Sequence, residues 1–334
     1  RRLAISGNQA YRVEDGGENC RSKAFGTETK FSLGSRKIIA PKIGLGSWRE
    51  ISNHSFTPLS LGETLLGGQS FVWVEIGANQ WRGAIKRSVV DLVFRKDRLY
   101  WRSSQEYPFS EIQVRKYLWI DDSYARAIEE MPWRSDSVLS KGIDAFPGLR
   151  ILAQPFDETL FYFLLSSAKS IPQIKSCGEA VAQGYGEKLA YGIGSFPGWN
   201  RLFEVPESEL RKLKLGYRAK YVAGVAQFLA SRSGWLEETA SLPYDQAKIR
   251  LMEMPGVGQK IADCALLFGA GKLEAFPIDT WMDKVLESRY ELTEWSLSQK
   301  LTFARIHFGK FAGLAQQFLF SSERHGVFKT EERR

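Results

Sequence analysis

Between about residues 52 and 150, apolar and polar positions alternate over short runs: Phe71-Val-Trp-Val-Glu, Trp81-Arg-Gly-Ala-Ile-Lys, Val89-Val-Asp-Leu-Val-Phe and Leu99-Tyr-Trp-Arg. Runs this short, closely spaced and with a period near two, predict an antiparallel meander. Helical segments follow near 111–118 and 122–131. From about 155 onward nearly every segment reads as helix. The segments are 156–167, 172–183, 188–192, 197–203, 206–213, 218–232, 244–253, 258–268, 279–288, 296–307 and 309–320. Asp157, Ser208 and Asp245 stand near helix starts as candidate caps. The chain has no internal repeat. The pattern predicts an α+β protein: a β-rich antiparallel domain over 52–150, then an all-α domain over 151–325. Residues 1–51 read as a loosely ordered basic extension and 326–334 as a charged tail.

Composition narrows the partners. A chain of 334 residues can hold two or three layers of core, and 43% hydrophobic with 13% aromatic residues describes a globular protein. No apolar run approaches the ~20 residues that cross a bilayer, so no membrane partner is expected. The start shows no signal-peptide pattern, and Glu14, Asp15 and Glu18 argue against a mitochondrial presequence. The net charge of +8 favours a polyanion, and residues 1–50 carry ten Lys/Arg against five Asp/Glu. Cys20, Cys177 and Cys264 are too far apart for a disulfide framework or a metal knuckle. Neither a metal nor a cofactor is expected.

The chemistry concentrates in residues 251–280, LMEMPGVGQKIADCALLFGAGKLEAFPIDT. An apolar helical stretch runs into Pro255-Gly256-Val257-Gly258, a new helix opens with Lys260 in its first turn, and Asp279 follows on a Pro-Ile-Asp segment. The glycines permit a tight turn and close approach to another molecule. Free amides at the next helix start can hold a phosphate. The helix dipole and burial both favour the neutral amine of a lysine placed there. A neutral amine beside a carboxylate is the equipment for a Schiff base. Taken alone, Gly-x-Gly-x-Lys is an ordinary turn between helices. It lacks the third glycine of a dinucleotide fingerprint and the Gly-Lys-Ser/Thr of a nucleotide P-loop.

The whole assembly, from turn and lysine through Ala262-Asp263-Cys264 to Phe276-Pro277-Ile278-Asp279, resembles the helix-hairpin-helix and Gly/Pro-Asp signature of base-excision DNA glycosylases. Within them it is most similar to the 8-oxoguanine DNA glycosylase/lyase branch. The resemblance covers roughly residues 57–324. It extends to Leu215-Gly216-Tyr217-Arg218-Ala219-Lys220-Tyr221 and to Ala312-Gly313-Leu314-Ala315-Gln316-Gln317-Phe318-Leu319-Phe320. It implies a TBP-like sheet domain before the helical one. It also implies double-stranded DNA containing oxidised guanine as partner, a monomer, and an intracellular, DNA-associated location. The four clustered cysteines of iron–sulfur relatives are missing.

By the same resemblance Lys260 is the nucleophile at the sugar C1′, with strand-nicking lyase chemistry following, and Asp279 stabilises developing positive charge. Gly68 matches the glycine whose carbonyl accepts the N7 hydrogen that only the oxidised base carries. Gln316 reads the Watson–Crick edge, Phe320 stacks on the flipped base and Cys264 flanks its other side. DNA contact falls to Tyr217, Arg218, Gly256, Val257, Gly258, Gln259 and Trp281. The chain departs from the pattern at Ser167-Ala168-Lys169-Ser170-Ile171-Pro172-Gln173, which has none of the family's cytosine-holding asparagines and Gln173 in place of an arginine. Trp281 stands where relatives have a phosphate-contacting histidine. Relaxed selectivity for the base opposite the lesion is therefore expected. Two other readings share the architecture. One is a monofunctional alkylated-base glycosylase, which normally lacks a lysine at 260. The other is a silent DNA-binding protein, which needs neither Lys260 nor Asp279.

Overall fold

The computed structural model describes residues 44–328; the remainder of the basic extension and the tail from 329 lie outside the described residues. Five strands form one antiparallel sheet: β1 (Arg49–Ile51), β2 (Trp73–Gly77), β3 (Gln80–Ile85), β4 (Ser88–Arg95) and β5 (Arg98–Ser103). Their order is β1-β5-β4-β3-β2, so β2 to β5 are the predicted meander and β1 closes the free edge of β5. The end of the predicted extension is thus strand, with Arg49 opposite Trp101. Tight connections place Lys86, Lys96 and Asp97 at φ of 53°, 49° and 60°, the left-handed geometry that primed hairpin turns require.

One buried charge ties the central register. Asp91, fully buried in β4, faces Arg82 on β3 and Arg102 on β5. Arg82 Nε donates to its Oδ1 at 2.7 Å and Arg102 Nη2 to its Oδ2 at 2.8 Å. A slip of one residue would leave this carboxylate without either cation, a costly state inside a sheet.

Two helices, α1 (Pro58–Leu66) and α2 (Glu111–Tyr117), pack on the sheet around Leu61, Leu65, Trp73, Trp101 and Val114. Trp73 Nε1 donates to the Tyr117 hydroxyl at 3.0 Å. The next pair, α3 (Asp122–Glu130) and α4 (Ser137–Ala145), follows the sheet in sequence, yet Tyr124, Met131 and Leu139 belong to the helical core. That core is completed by α5 (Phe156–Leu165), α6 (Ile171–Tyr185), α7 (Trp199–Phe203), α8 (Glu207–Leu210), α9 (Arg218–Ala230), α10 (Trp235–Ser241), α11 (Tyr244–Leu251), α12 (Gln259–Ala270), α13 (Thr280–Arg289), α14 (Leu297–Phe308) and α15 (Ala312–Arg324). Its axis is α5 against α12, where Phe163 and Phe268 stack at 5.4 Å.

Several elements differ from the periodicity reading. Helices α1, α4 and α10 are additional. The first is signalled only by Thr57-Pro58, Thr57 forming a capping box with Ser60 and Pro58 opening the helix. The segment 188–192, expected to be helical, holds a single 3-10 turn (Ala190–Gly192) inside a small hairpin bridged from Lys188 to Gly194, with Tyr191 at a φ of 60°. Gly194 lies against the Ala182 backbone, where a side chain would not fit. The helix expected over 206–213 stops at Leu210 and continues as a wide turn through Leu215, with Lys214 at a φ of 64°. Asp157, Ser208 and Asp245 are not caps: Pro155, Pro206 and Pro243 hold those places. Asp157 and Asp245 lie in the first turn instead, where the helix dipole favours acids. Val327 and Phe328, placed in the tail by sequence, pack on or within the helical core.

Candidate active site

The hairpin forms as the sequence required. Helix α11 ends at Leu251, Gly256 turns at a φ of 79°, and Gly258 stands at the N-cap of α12 with no side chain capping the first amides. A Cβ on Gly256 would collide with the Tyr221 ring, so no other residue fits there unstrained. Buried Asp263 locks the two helices: it accepts from the Tyr244 hydroxyl at 2.6 Å and from Lys248 Nζ at 2.9 Å. Val257 does not face outward. Its side chain is buried and its amide donates to Met254 O at 3.1 Å. Gly256, Gly258 and Gln259 are what the hairpin offers to a partner.

Lys260 stands in the first turn of α12, and its amine crosses to the end of α5, donating to Ser166 Oγ at 2.9 Å. Ser166 in turn donates to Phe163 O at 2.7 Å, and the Lys260 amine lies 5.4 Å from the centre of the Phe163 ring. Asp279 caps α13, its Oδ1 accepting from the amides of Trp281 at 3.0 Å and Met282 at 2.9 Å. Both hydrogen bonds use Oδ1, and the residue also lines a cavity. Asp279 is thus a helix cap and a cavity group at once.

That cavity measures about 960 Å³ and is lined by Lys260, Asp279, Cys264, Gly68, Gln316 and Phe320 among others. Four segments, at Gly68, Lys260 with Cys264, Asp279, and Gln316 with Phe320, therefore converge on one space. Gly68 turns at a φ of 110°, and a Cβ there would lie 2.8 Å from Ile171 Cδ1 and 4.0 Å from Phe320 Cε1. The glycine is needed for conformation and for space. Gln316 and Phe320 share one face of α15, as their i and i+4 spacing predicts. Gln316 is buried, its Nε2 donating to Pro277 O at 3.3 Å and its Oε1 accepting from Gln317 Nε2 at 2.8 Å. Burial pushes the Cys264 thiol up to about 12, although Lys260 nearby pulls it down. It is a neutral thiol at physiological pH and does not compete with the amine.

The wall of the cavity that follows Ser166 is different. Ala168 sits at a φ of 50°, Lys169 Nζ donates to Lys214 O at 3.4 Å, and Gln173 Oε1 accepts from the Ser170 amide at 2.9 Å as part of a helix capping box. Arg218, expected to contact DNA, is buried. Its guanidinium donates to Ser167 O, which also accepts from the Tyr217 hydroxyl at 3.4 Å, and to Leu215 O at 3.4 Å. Tyr217 beside it is 49% exposed, and Trp281 on the far rim is 42% exposed.

Residues 52–160 match the family model described as 8-oxoguanine DNA glycosylase, N-terminal domain. The chain is 30% identical over 288 residues to the N-glycosylase/DNA lyase OGG1 of Arabidopsis thaliana, covering 80% of this chain and 78% of that protein. The chain belongs to the 8-oxoguanine DNA glycosylase/lyase family. Solved structures agree. The apo 8-oxoguanine glycosylase/lyase of Clostridium acetobutylicum is 29% identical with a TM-score of 0.73, covering 83% of this chain and 98% of that one. The same enzyme with double-stranded DNA containing cytosine opposite 8-oxoguanine gives 28% identity and a TM-score of 0.74, over 84% and 99% of the two chains. The alkylated-base and silent-binder readings give way to this membership.

Several residues of this glycosylase's site escaped the sequence reading. Ser166 holds the Lys260 amine from 94 positions away, and Gln317 fixes the amide of Gln316. Only the repeated glutamine at 316–317 could have signalled the second; nothing local marks the first. Among the described residues no cluster of His, Cys, Asp or Glu is arranged to hold a metal ion, and no helix is long and apolar enough to cross a membrane.

Proposed function

We propose that this member of the family excises 8-oxoguanine from double-stranded DNA as a monomer and then nicks the strand, with Lys260 as nucleophile and Asp279 as the electrostatic partner. One observation carries the reading: Lys260 and Asp279 line one cavity together with Gly68, Gln316 and Phe320. The cavity takes a base rotated out of the duplex. Phe320 offers its face to the base, the amide of Gln316 meets its polar edge, and the Gly68 carbonyl accepts the N7 hydrogen of the oxidised form.

Lys260 Nζ bonds to C1′ as the glycosidic bond breaks. The base leaves with the electron pair and takes up a proton. The sugar ring opens to an imine, and loss of a C2′ proton expels the 3′ phosphate. Asp279 lowers the barrier by placing negative charge beside the sugar as positive charge develops. The uncapped amides after Gly258 suit backbone phosphate, and Tyr217 and Trp281 suit stacking or wedging. Ala168 and Gln173 offer little to the base opposite, so selectivity there is relaxed.

Borohydride reduction with a duplex carrying one 8-oxoguanine tests the assignment. Wild-type protein is expected to yield a covalent adduct and a cut strand. Lys260→Gln should yield no adduct and lose more than about 10³-fold in excision. An adduct of normal yield in that variant moves the nucleophile elsewhere.

A further inference from the structure

The two cavity walls that meet the base come from opposite ends of the chain, and a charged clamp joins them, with Arg324 at the cavity edge and Glu63 behind it. Glu63 is buried in α1 and does not line the cavity. Its Oε1 accepts from Ser321 Oγ at 2.8 Å and from Arg324 Nη1 at 3.3 Å, both on α15, with Ser321 lying 258 positions away. Its Oε2 lies 2.9 Å from His325 Nε2. The same Arg324 donates to Gly67 O and lies 5.6 Å from the centre of the Phe320 ring. The Gly67 amide donates to Glu63 O at 2.8 Å, and a Cβ on Gly67 would strike the Glu63 carboxylate at 2.5 Å. The carboxylate therefore rests on the turn that presents Gly68, and the cation bound to it rests beside the stacking ring.

We propose that Glu63, acting through Arg324, is a positioning residue for lesion recognition: it sets the gap between the Gly68 carbonyl and Phe320 into which the flipped base must fit. The proposal rests on the reading of Gly68 as the acceptor of the N7 hydrogen. The turn at a φ of 110° is tied on its far side by Gln69, whose Nε2 donates to Arg150 O at 2.7 Å and whose Oε1 accepts from the Leu152 amide at 2.8 Å, and on its near side through Gly67. Gly67 O is held by Arg324, and Arg324 is held by Glu63. A hydrogen bond weakens steeply when its acceptor moves or tilts, so a displaced turn loses the one contact that separates 8-oxoguanine from guanine. Lys260 and Asp279 sit on α12 and α13 and make no contact with this clamp.

Glu63→Gln in the full chain tests it on two duplexes, one with 8-oxoguanine and one with a preformed abasic site, which has no base to read. Single-turnover excision of 8-oxoguanine should fall about 10- to 100-fold, the range expected for a lost charged hydrogen bond. Nicking of the abasic duplex should be unchanged. Ser321→Ala, which removes one neutral donor and keeps the ion pair, should show a smaller loss on the first substrate only. Equal losses on both duplexes, tracking a fall in melting temperature, overturn the proposal in favour of a merely structural role. Gly68→Ala serves as reference. If it is impaired while Glu63→Gln is not, the clamp fails and the Gly68 reading stands. If Gly68→Ala excises normally, both fall.

Discussion

The two sides of the cavity are built to different standards. On the lesion side, Lys260 is held by Ser166, Gln316 by Pro277 and Gln317, and the Gly68 turn by Arg324, so each polar group arrives already oriented. On the side that would face the other strand, the polar groups are turned back on the protein. Arg218 bonds carbonyls of its own chain, Gln173 caps a helix and Ala168 has nothing to offer. Pre-orientation matters where a contact must be in place in the transition state. The contrast separates two tasks usually joined in one site: recognising what is damaged, and recognising what it is paired with. On the proposed reading, this molecule equips the first and leaves the second open.

The largest effect is expected on the equipped side. Asp279→Asn keeps a side-chain oxygen that can accept from the amides of Trp281 and Met282, so α13 keeps its cap. What disappears is the negative charge beside the sugar. Excision should fall ~10²–10³-fold with DNA affinity nearly unchanged. Parallel losses in binding and turnover, read by titration and single-turnover kinetics, would show that the residue serves the fold rather than the reaction.

The next effect probes the open side. Each well-made base contact contributes about 1–3 kcal/mol of discrimination. With the arginine position taken by Gln173, the asparagine position by Ala168 and Arg218 turned inward, we expect 8-oxoguanine opposite cytosine to be removed only roughly tenfold faster than opposite adenine, guanine or thymine. Single-turnover rates on the four duplexes decide it. A preference of ~10³ would mean that Arg218 swings outward or that Lys169 or Lys220 reads the base.

The sequence disclosed the site in proportion to how local each part is. Lys260 and Asp279 lie within one stretch whose glycines and spacing carry their own meaning, and Gln316 with Phe320 follow from a helical repeat. Strands β2 to β5 were legible as short, closely spaced apolar runs, with the period of two clearest in β5. Ser166 and the Glu63–Arg324 clamp were not, because their partners are 94 and 261 positions away and no local pattern encodes the pairing. The hairpin at 188–194 was misread as helix because its geometry is imposed by packing against α6, and α4 was missed because its signal is one capping aspartate, Asp136. Arg218 shows a further limit. It was expected to contact DNA, yet its side chain is buried against the carbonyls of Ser167 and Leu215, which only the fold brings near.

The smallest expected effect is the one that would convert the open side. Ala168 lines the cavity at a φ of 50°, in the left-handed region where a Cβ is costly for most residues and asparagine is better tolerated. The backbone at this position is therefore already shaped for an asparagine, although the side chain is absent. Ala168→Asn should relieve strain, stabilising the fold by about 0.5–1 kcal/mol, the lower part of the cost of left-handed geometry. The amide would also reach toward the base opposite the lesion. One added contact of about 1 kcal/mol corresponds to roughly fivefold in rate preference for cytosine. Thermal melting and the four-duplex rates measure the two effects separately. Stabilisation without a gain in cytosine preference would show that the backbone accepts asparagine while the opposite base lies out of reach. A gain in preference with no stabilisation would mean that the strain at Ala168 is already offset by its neighbours, and that the opposite-base contact alone was missing from this side of the cavity.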